Sequence, residues 1–309
     1  MKYATLSLLA AAPLLAGPYS PQAGQPGSNA VPHDDPAFIA WADGWQDYVA
    51  GADVTVNFQT PAKALGPALE DDVYGIVCLG REGSIVLTFS QPIGDGEGPD
   101  FAVFENGFRN SFLSELAFLE LAFVEVSSDG EHFVRFPTHA LAPDPIGAFG
   151  WVDASDFHGF AGTFVLGFGT PFDLADLPDD PNLDKQDVRY VRLIDISGDG
   201  STLDSQGNPI YDPYRTVGSA GFDLDAVGVL NGPAVELEAV ELQLVAGDDG
   251  SYTLVWQGLE GATYAVEQST DLQVWTALET LTGTAGENRL PVTPASQGAA
   301  FFRVKTIAQ

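Results

Sequence analysis

The chain has 309 residues, with 12 Lys and Arg against 43 Asp and Glu, a formal net charge of −31. So acidic a surface repels nucleic acid and anionic membranes, which excludes DNA and RNA as partners. The 20 Phe, 9 Tyr and 5 Trp supply enough large apolar side chains for a packed core, so the composition is not that of a disordered chain.

The chain opens MKYATLSLLAAAPLLAG. Lys2 is a minimal basic start, residues 4–16 are apolar, and Leu14 and Ala16 suit the −3 and −1 positions of a cleavage site. Residues 1–16 therefore read as a signal peptide, too short to span a bilayer and interrupted by Pro13. No cysteine follows the apolar run, which argues against a lipid anchor, and no second apolar span follows. Residues 17–36 are rich in Gly, Pro and Ser and read as an extended lead-in. In 37–48, Phe38, Trp41, Trp45 and Tyr48 recur at near-helical spacing, a pattern of core packing. The only cysteine, Cys78, lies in an apolar stretch, so no internal disulfide forms and a buried, inert thiol is expected.

Short strands with Gly, Pro and Asp turns fill residues 37–232. GSIVLTF (83–89) alternates, with Ile85, Leu87 and Phe89 on one face. LELAFVEVSSDG (119–130) is apolar on both faces, as a central strand is, with a helical turn before it. Asp129-Gly130 turns the chain back into HFVRF (132–136). RYVRLIDI (189–196) and AVGVL (226–230) are further strands. The pattern predicts an all-β protein: a large antiparallel jelly-roll-like β-sandwich over 37–232. PAVELE (233–238) marks a boundary, and 237–309 predicts a small immunoglobulin/fibronectin-like β-sandwich with Trp256 and Trp275 as core anchors.

Three acidic segments carry the candidate chemistry. DISGDGSTLDSQGNPIYDP (195–213) brings Asp195, Asp199, Asp204 and Asp212 together with glycines and hydroxyls. Calcium takes six to eight such oxygens, but the segment lacks the EF-hand pattern and equally suits turns that cap their own amides. GFDLDAV (221–227) puts Asp223 and Asp225 on one strand face, where two close carboxylates need a cation, donors or water. IGDGEGPDFAVFENGF (93–108) holds Asp95, Glu97, Asp100 and Glu105, the last ending an apolar strand where basic residues are scarce and its burial would be costly without a cation or basic partner. The expected metal set is Glu105, Asp195, Asp199, Asp204, Asp223 and Asp225, with calcium as the cofactor. In 168–187, Asp173 is placed to cap a helical turn before LADL. Trp151, His158, Tyr211 and Tyr214 lie in or beside loops and form the expected ligand rim.

The blocks GSIVLTFSQPI, DFAVFENGF, ELAFVEVSSDGEHFVRFP, VRLIDISGDG and GNPIYDPYRTVGSAGFDLDAVGVLN resemble a family of uncharacterised bacterial secreted or cell-surface proteins, over about residues 18–232. The layout is also similar to the discoidin or galactose-binding-like jelly roll. That wider resemblance implies structural calcium and end loops that bind sugars or other partners. Some related surface proteins sit beside corrinoid uptake systems, which adds a corrinoid-like small molecule to the ligands implied. FLSELAFLELAF (112–123) departs from the family pattern by its length. The C-terminal YTLVWQGLEGATYAVEQSTDLQVWTAL resembles a fibronectin-type accessory module of secreted Verrucomicrobia proteins.

None of the four histidines makes a zinc pattern, and no GxSxG, phosphate loop or dinucleotide fingerprint occurs. These observations favour a secreted, periplasmic or cell-surface binding module, calcium-stabilised and non-catalytic, with a glycan, another small molecule or another surface protein as partner. The alternatives are a carboxylate-dependent polysaccharide hydrolase or lyase and a purely structural surface-assembly protein. An enzyme predicts two carboxylates, one with a raised pKa, inside a pocket.

Overall fold

The computed structural model describes residues 17–69, 72–233, 242–247, 250–293 and 299–308. The expected signal peptide and most of the expected domain boundary lie outside them. The chain divides into two compact units, Met1–Ala234 and Val235–Gln309. Both are all-β and multi-sheet, with only short 3₁₀ turns besides strands among the described residues.

Two antiparallel sheets make the body of the first unit. One runs in the order Val31–Pro32, Phe168–Phe172, Phe101–Glu105, Asp223–Val229, Ala40–Trp41, with Val77–Cys78 also on Asp223–Val229. The other runs Val134–Arg135, Ala122–Ser127, Val188–Asp195, Ser84–Ile93, Gly44–Val49, with Phe160–Ala161 also on Ala122–Ser127. A shared core holds the two together: Ile85, Leu87, Val124 and Leu193 from one sheet meet Phe101, Val103, Leu224 and Val227 from the other. Burying each such side chain contributes about 1.5–3 kcal/mol. This is a sandwich-like arrangement of the kind the alternating strands predict.

Ala122–Ser127 is buried at all six positions, as its apolar faces require. Val134 and Arg135 return beside Val126 and Glu125. One expectation holds in part and one is corrected. In the aromatic stripe at 38–48, Phe38 and Trp41 pack with Phe104 in a ring cluster and Tyr48 packs against the main core, as core packing requires, while Trp45 is 43% exposed; Trp41, Trp45 and Tyr48 lie on strands. Glycine at 44 and 51 and the pairing of Gly44–Val49 with Ser84–Ile93 outweigh the near-helical spacing. The helical turn before the central strand is instead a strand, Leu116–Phe118, paired with Val152–Asp153 and Phe108–Arg109.

The second unit has two three-stranded sheets, Gln243–Ala246, Tyr252–Gly258, Gly286–Val292 and Thr276–Thr282, Thr263–Ser269, Phe301–Ala308. Trp256 anchors its core with Leu254, Tyr264 and Val266. Trp275 does not: it is half-buried and lies under the Arg303 guanidinium, 4.1 Å from the ring centre.

Candidate functional site

The aspartate-rich loop uses its carboxylates mainly on backbone amides, several of them in other segments. Asp195 ends the strand Val188–Asp195 and accepts the amides of Phe222 at 2.6 Å and Glu82 at 3.2 Å. Gly221 must be glycine, because its φ is +64° and a side chain there would strike Asp195 Oδ1. Asp204 accepts the amides of Ala140, Gln206 and Asn208 at 2.8–2.9 Å and the Asn208 side-chain amide at 2.9 Å. Asp212 accepts the Leu121 amide at 2.9 Å. Asp199 is exposed and bonds Ser201. A carboxylate that accepts several amides is already compensated without an ion.

Glu105, Asp223 and Asp225 differ. Pairing of Phe101–Glu105 with Asp223–Val229 sets Glu105 opposite Leu224, beside both aspartates. Asp225 turns to the Leu69 amide at 2.9 Å, as a cap does. Glu105 Oε2 accepts the Gly107 amide at 2.7 Å, but its Oε1 and Asp223 Oδ1 are buried with no hydrogen-bond partner. Burial first, then the charges of Asp223 and Asp225, push the Glu105 carboxyl well above its usual range. Burial likewise raises Asp223 to about 6, although the Cys78 thiol and Asn106 at its side chain pull it back. Asp195 and Asp225 are each raised to about 7, chiefly by burial. Glu105, Asp195, Asp223 and Asp225 thus converge electrostatically. No three of the six expected metal residues bring ligand oxygens mutually within 4.8 Å.

Glu120, which the sequence reading passed over, completes this group. Its side chain is 3% exposed, and Thr216 Oγ1 donates to its Oε1 at 2.7 Å. Burial, then the Asp223 charge, holds its carboxyl well above the usual range. Glu120 and Asp223 share the lining of a cavity of about 460 Å³. Tyr74, Phe108, Phe118 and Phe149 form much of its wall, with Tyr74 66% and Phe149 83% exposed. Arg215 lines the same cavity but is engaged by Asp53, its Nε 2.6 Å from Oδ2. The signal for Glu120 was akin to the one that flagged Glu105: an acid in an apolar run where basic residues are scarce.

A second carboxylate cluster is compact. Oxygens of Asp95, Asp100 and Asp173 lie within 4.8 Å of one another. Asp100 and Asp173 meet because Phe101 pairs with Phe172. Asp100 is fully buried and braced by the amides of Gly96 at 2.8 Å and Leu174 at 2.7 Å and by Asn231 at 3.1 Å. Asp173 caps the turn Leu174–Asp176 through the Ala175 amide, as its sequence position predicts. The sequence reading marked all three residues but did not join them.

This cluster overturns the expectation that the chain carries no catalysis: three carboxylates so close can hold a metal or act chemically. Nothing among these groups selects calcium over another divalent cation.

The four expected rim residues are spread out. His158 stacks on Tyr19, ring centres 5.0 Å apart, beside a separate cavity of about 380 Å³. Tyr214 receives a bond from Arg81 at 3.3 Å by a small cleft containing Asp195 and Asp212. Trp151 packs edge-on to Phe108, and Tyr211 packs on the cluster around Phe157 and Ile210. No family model matches the sequence, and no significant match to a curated protein is found. No helix among the described residues is long and apolar enough to cross a membrane.

Proposed function

We propose that the first unit is a carboxylate-dependent enzyme acting on polysaccharide, a hydrolase or a lyase, in the aromatic-walled cavity. One observation carries this reading: Glu120 and Asp223 are two buried carboxylates lining one cavity, both with raised pKa values. Glu120, held protonated by burial, serves as general acid towards a glycosidic oxygen. Asp223, near 6, is charged at neutral pH and serves as the base or the stabiliser of developing positive charge. Tyr74 and Phe149 offer flat faces for sugar rings at the mouth. In the lyase variant, Arg215 would meet the uronate carboxylate.

The test is a panel of neutral and uronate polysaccharides, scored for new reducing ends and for the ultraviolet absorbance of unsaturated products. Glu120→Gln and Asp223→Asn should each lower turnover by about 10²–10⁴-fold, with the fold intact by circular dichroism. Binding without turnover in the wild-type protein across the panel would sink this reading.

A second reading rests on Asp95, Asp100 and Asp173: a divalent cation that takes oxygen donors, calcium among them, joins the loop 93–100 to the end of the strand Phe168–Phe172. The family resemblance supports a secreted, periplasmic or cell-surface setting. It also supports a jelly-roll path for the first unit and a fibronectin-type path for the second.

A further inference from the structure

The first described residue, Gly17, sits in a built seat. Its backbone N–H donates to Ser155 Oγ at 2.7 Å. The Ser155 hydroxyl donates to Asp153 Oδ1 at 2.7 Å, so its lone pairs are turned to Gly17. Asp153 also accepts the Ser155 amide at 3.0 Å, which fixes the hydroxyl further. A Cβ at position 17 would fall on the Ser155 carbonyl and lie 2.7 Å from Asp156 Oδ1. The position therefore excludes every side chain, and the Asp156 carboxylate stands directly beside it.

Neither Asp156 nor Asp153 makes an ion pair among the described residues. Burial, then the charge of Asp153, raises the Asp156 carboxyl above its ordinary range. From Gly17 onward the chain is tied down. The Tyr19 amide donates to the Ser155 carbonyl at 3.1 Å, and the Tyr19 hydroxyl bonds His139. Gln22 is fully buried and accepts the Val165 amide at 3.2 Å.

Two independent readings meet at one bond. Leu14 and Ala16 place a signal cleavage between Ala16 and Gly17. The fold places an acidic, side-chain-excluding seat at the nitrogen this cleavage would free. We propose that the Ala16–Gly17 bond is a processing site and that the seat of Ser155, Asp153 and Asp156 binds the new Gly17 α-ammonium.

A signal-cleaving endopeptidase hydrolyses the amide. Water gives its hydroxyl to the Ala16 carbonyl and a proton to the Gly17 nitrogen, which takes a further proton at neutral pH. The ammonium keeps the Ser155 bond and gains the Asp156 carboxylate as counter-ion. Docking also sets Tyr19 in the wall of the 380 Å³ cavity beside His158. This inference is independent of the enzymatic reading.

The experiment has two arms. The full chain is produced in an exporting host and the N-terminus read by intact mass and terminal sequencing. A start at Gly17 is expected, and any other start overturns the proposal. The 17–309 protein is then compared with a form carrying one extra alanine and with a form acetylated at Gly17. The α-amine of the 17–309 protein should titrate at least about one unit above the ordinary 7.7–8.0, a tenfold tighter hold on its proton. Asp156→Asn should return it to that range. Extension or acetylation should lower the melting temperature, and Asp156→Asn should erase the difference between the forms. An ordinary α-amine pKa, or equal melting of all three forms, would overturn the seat. The acetylated form keeps the test decisive even where Asp156→Asn folds poorly.

Discussion

Thr216 donates to Glu120 Oε1 at 2.7 Å while its own oxygen accepts the Gly221 amide at 3.0 Å. The Gly221 amide thus fixes the direction of the Thr216 proton, and the Thr216 proton fixes one oxygen of Glu120. Thr216 is a positioning residue that favours the charged form of Glu120 against its burial. Thr216→Val should raise the Glu120 pKa by about one further unit, as the loss of one hydrogen bond to a charged group implies. Carbon-13 titration of the glutamate carboxyls would show this without a substrate. An unmoved titration would remove Thr216 from the site.

Stability should fall between mildly acidic and neutral pH. Asp195 and Asp225 at about 7 and Asp223 at about 6 all lie above their unfolded values near 3.9. A raised acid binds protons in the folded state that the unfolded chain has lost. Its contribution is therefore full below the unfolded pKa and is lost as pH rises through the folded one. Asp53, Asp129 and Asp180 are held low by their partners and oppose this only on the acid side, below about pH 4. Thermal scans should show a higher Tm near pH 5 than near pH 8. A Tm rising steadily across that range would contradict the buried-acid picture.

Asp204→Ala should destabilise the first unit by about 2–3 kcal/mol, because several amides lose their acceptor at a buried site. Urea unfolding would read this out. The loss should be the same in chelator and in calcium, since the Asp204 carboxylate is spent on amides; a loss larger in calcium would return it to the metal set.

Calcium should raise the melting temperature of the wild-type protein above its value in chelator, by mass action on the folded state. Asp95→Asn and Asp173→Asn should each remove most of that rise, while Asp199→Asn leaves it unchanged. Magnesium at equal concentration separates a selective site from simple charge screening of a −31 chain. An Asp199→Asn variant that alone abolished the rise would return the ion to the aspartate-rich loop.

Cys78 should resist thiol reagents in the native protein. It is fully buried, and burial together with the Asp223 charge pushes the thiol far above its ordinary range. Labelling at mildly alkaline pH should proceed only after denaturant is added. Rapid native labelling would mean that the Val77–Cys78 strand opens from Asp223–Val229.

The strands were legible wherever apolar side chains alternate with polar ones, as around Ile85, Leu87 and Phe89, or run on both faces, as at Ala122–Ser127. The aromatic spacing at 38–48 signals core packing, which Trp41 has and Trp45 lacks, because the period of a short aromatic run cannot register the cross-strand partners that decide it. Glu105 and Asp223 were legible as costly acids in apolar runs. Their relation to Glu120 was not, since it depends on the route of 108–121 and on Thr216, nearly a hundred residues later. The trio Asp95, Asp100 and Asp173 likewise depends on the register of Phe101 with Phe172. At Asp204, side chains dense enough in oxygen for an ion accept several amides, bonds that only the folded loop shows.

The charges of Glu105, Glu120, Asp195 and Asp212 are linked, each feeling a neighbour within the group or Asp223. They therefore form one polyprotic acid within the sandwich, and a proton gained at one member eases ionisation of the rest. Neutralising a single member by an amide should make its neighbours more acidic. An amide substitution at Glu105, outside the residues that line the cavity, would then serve as a dial on the working pH of Glu120 and Asp223.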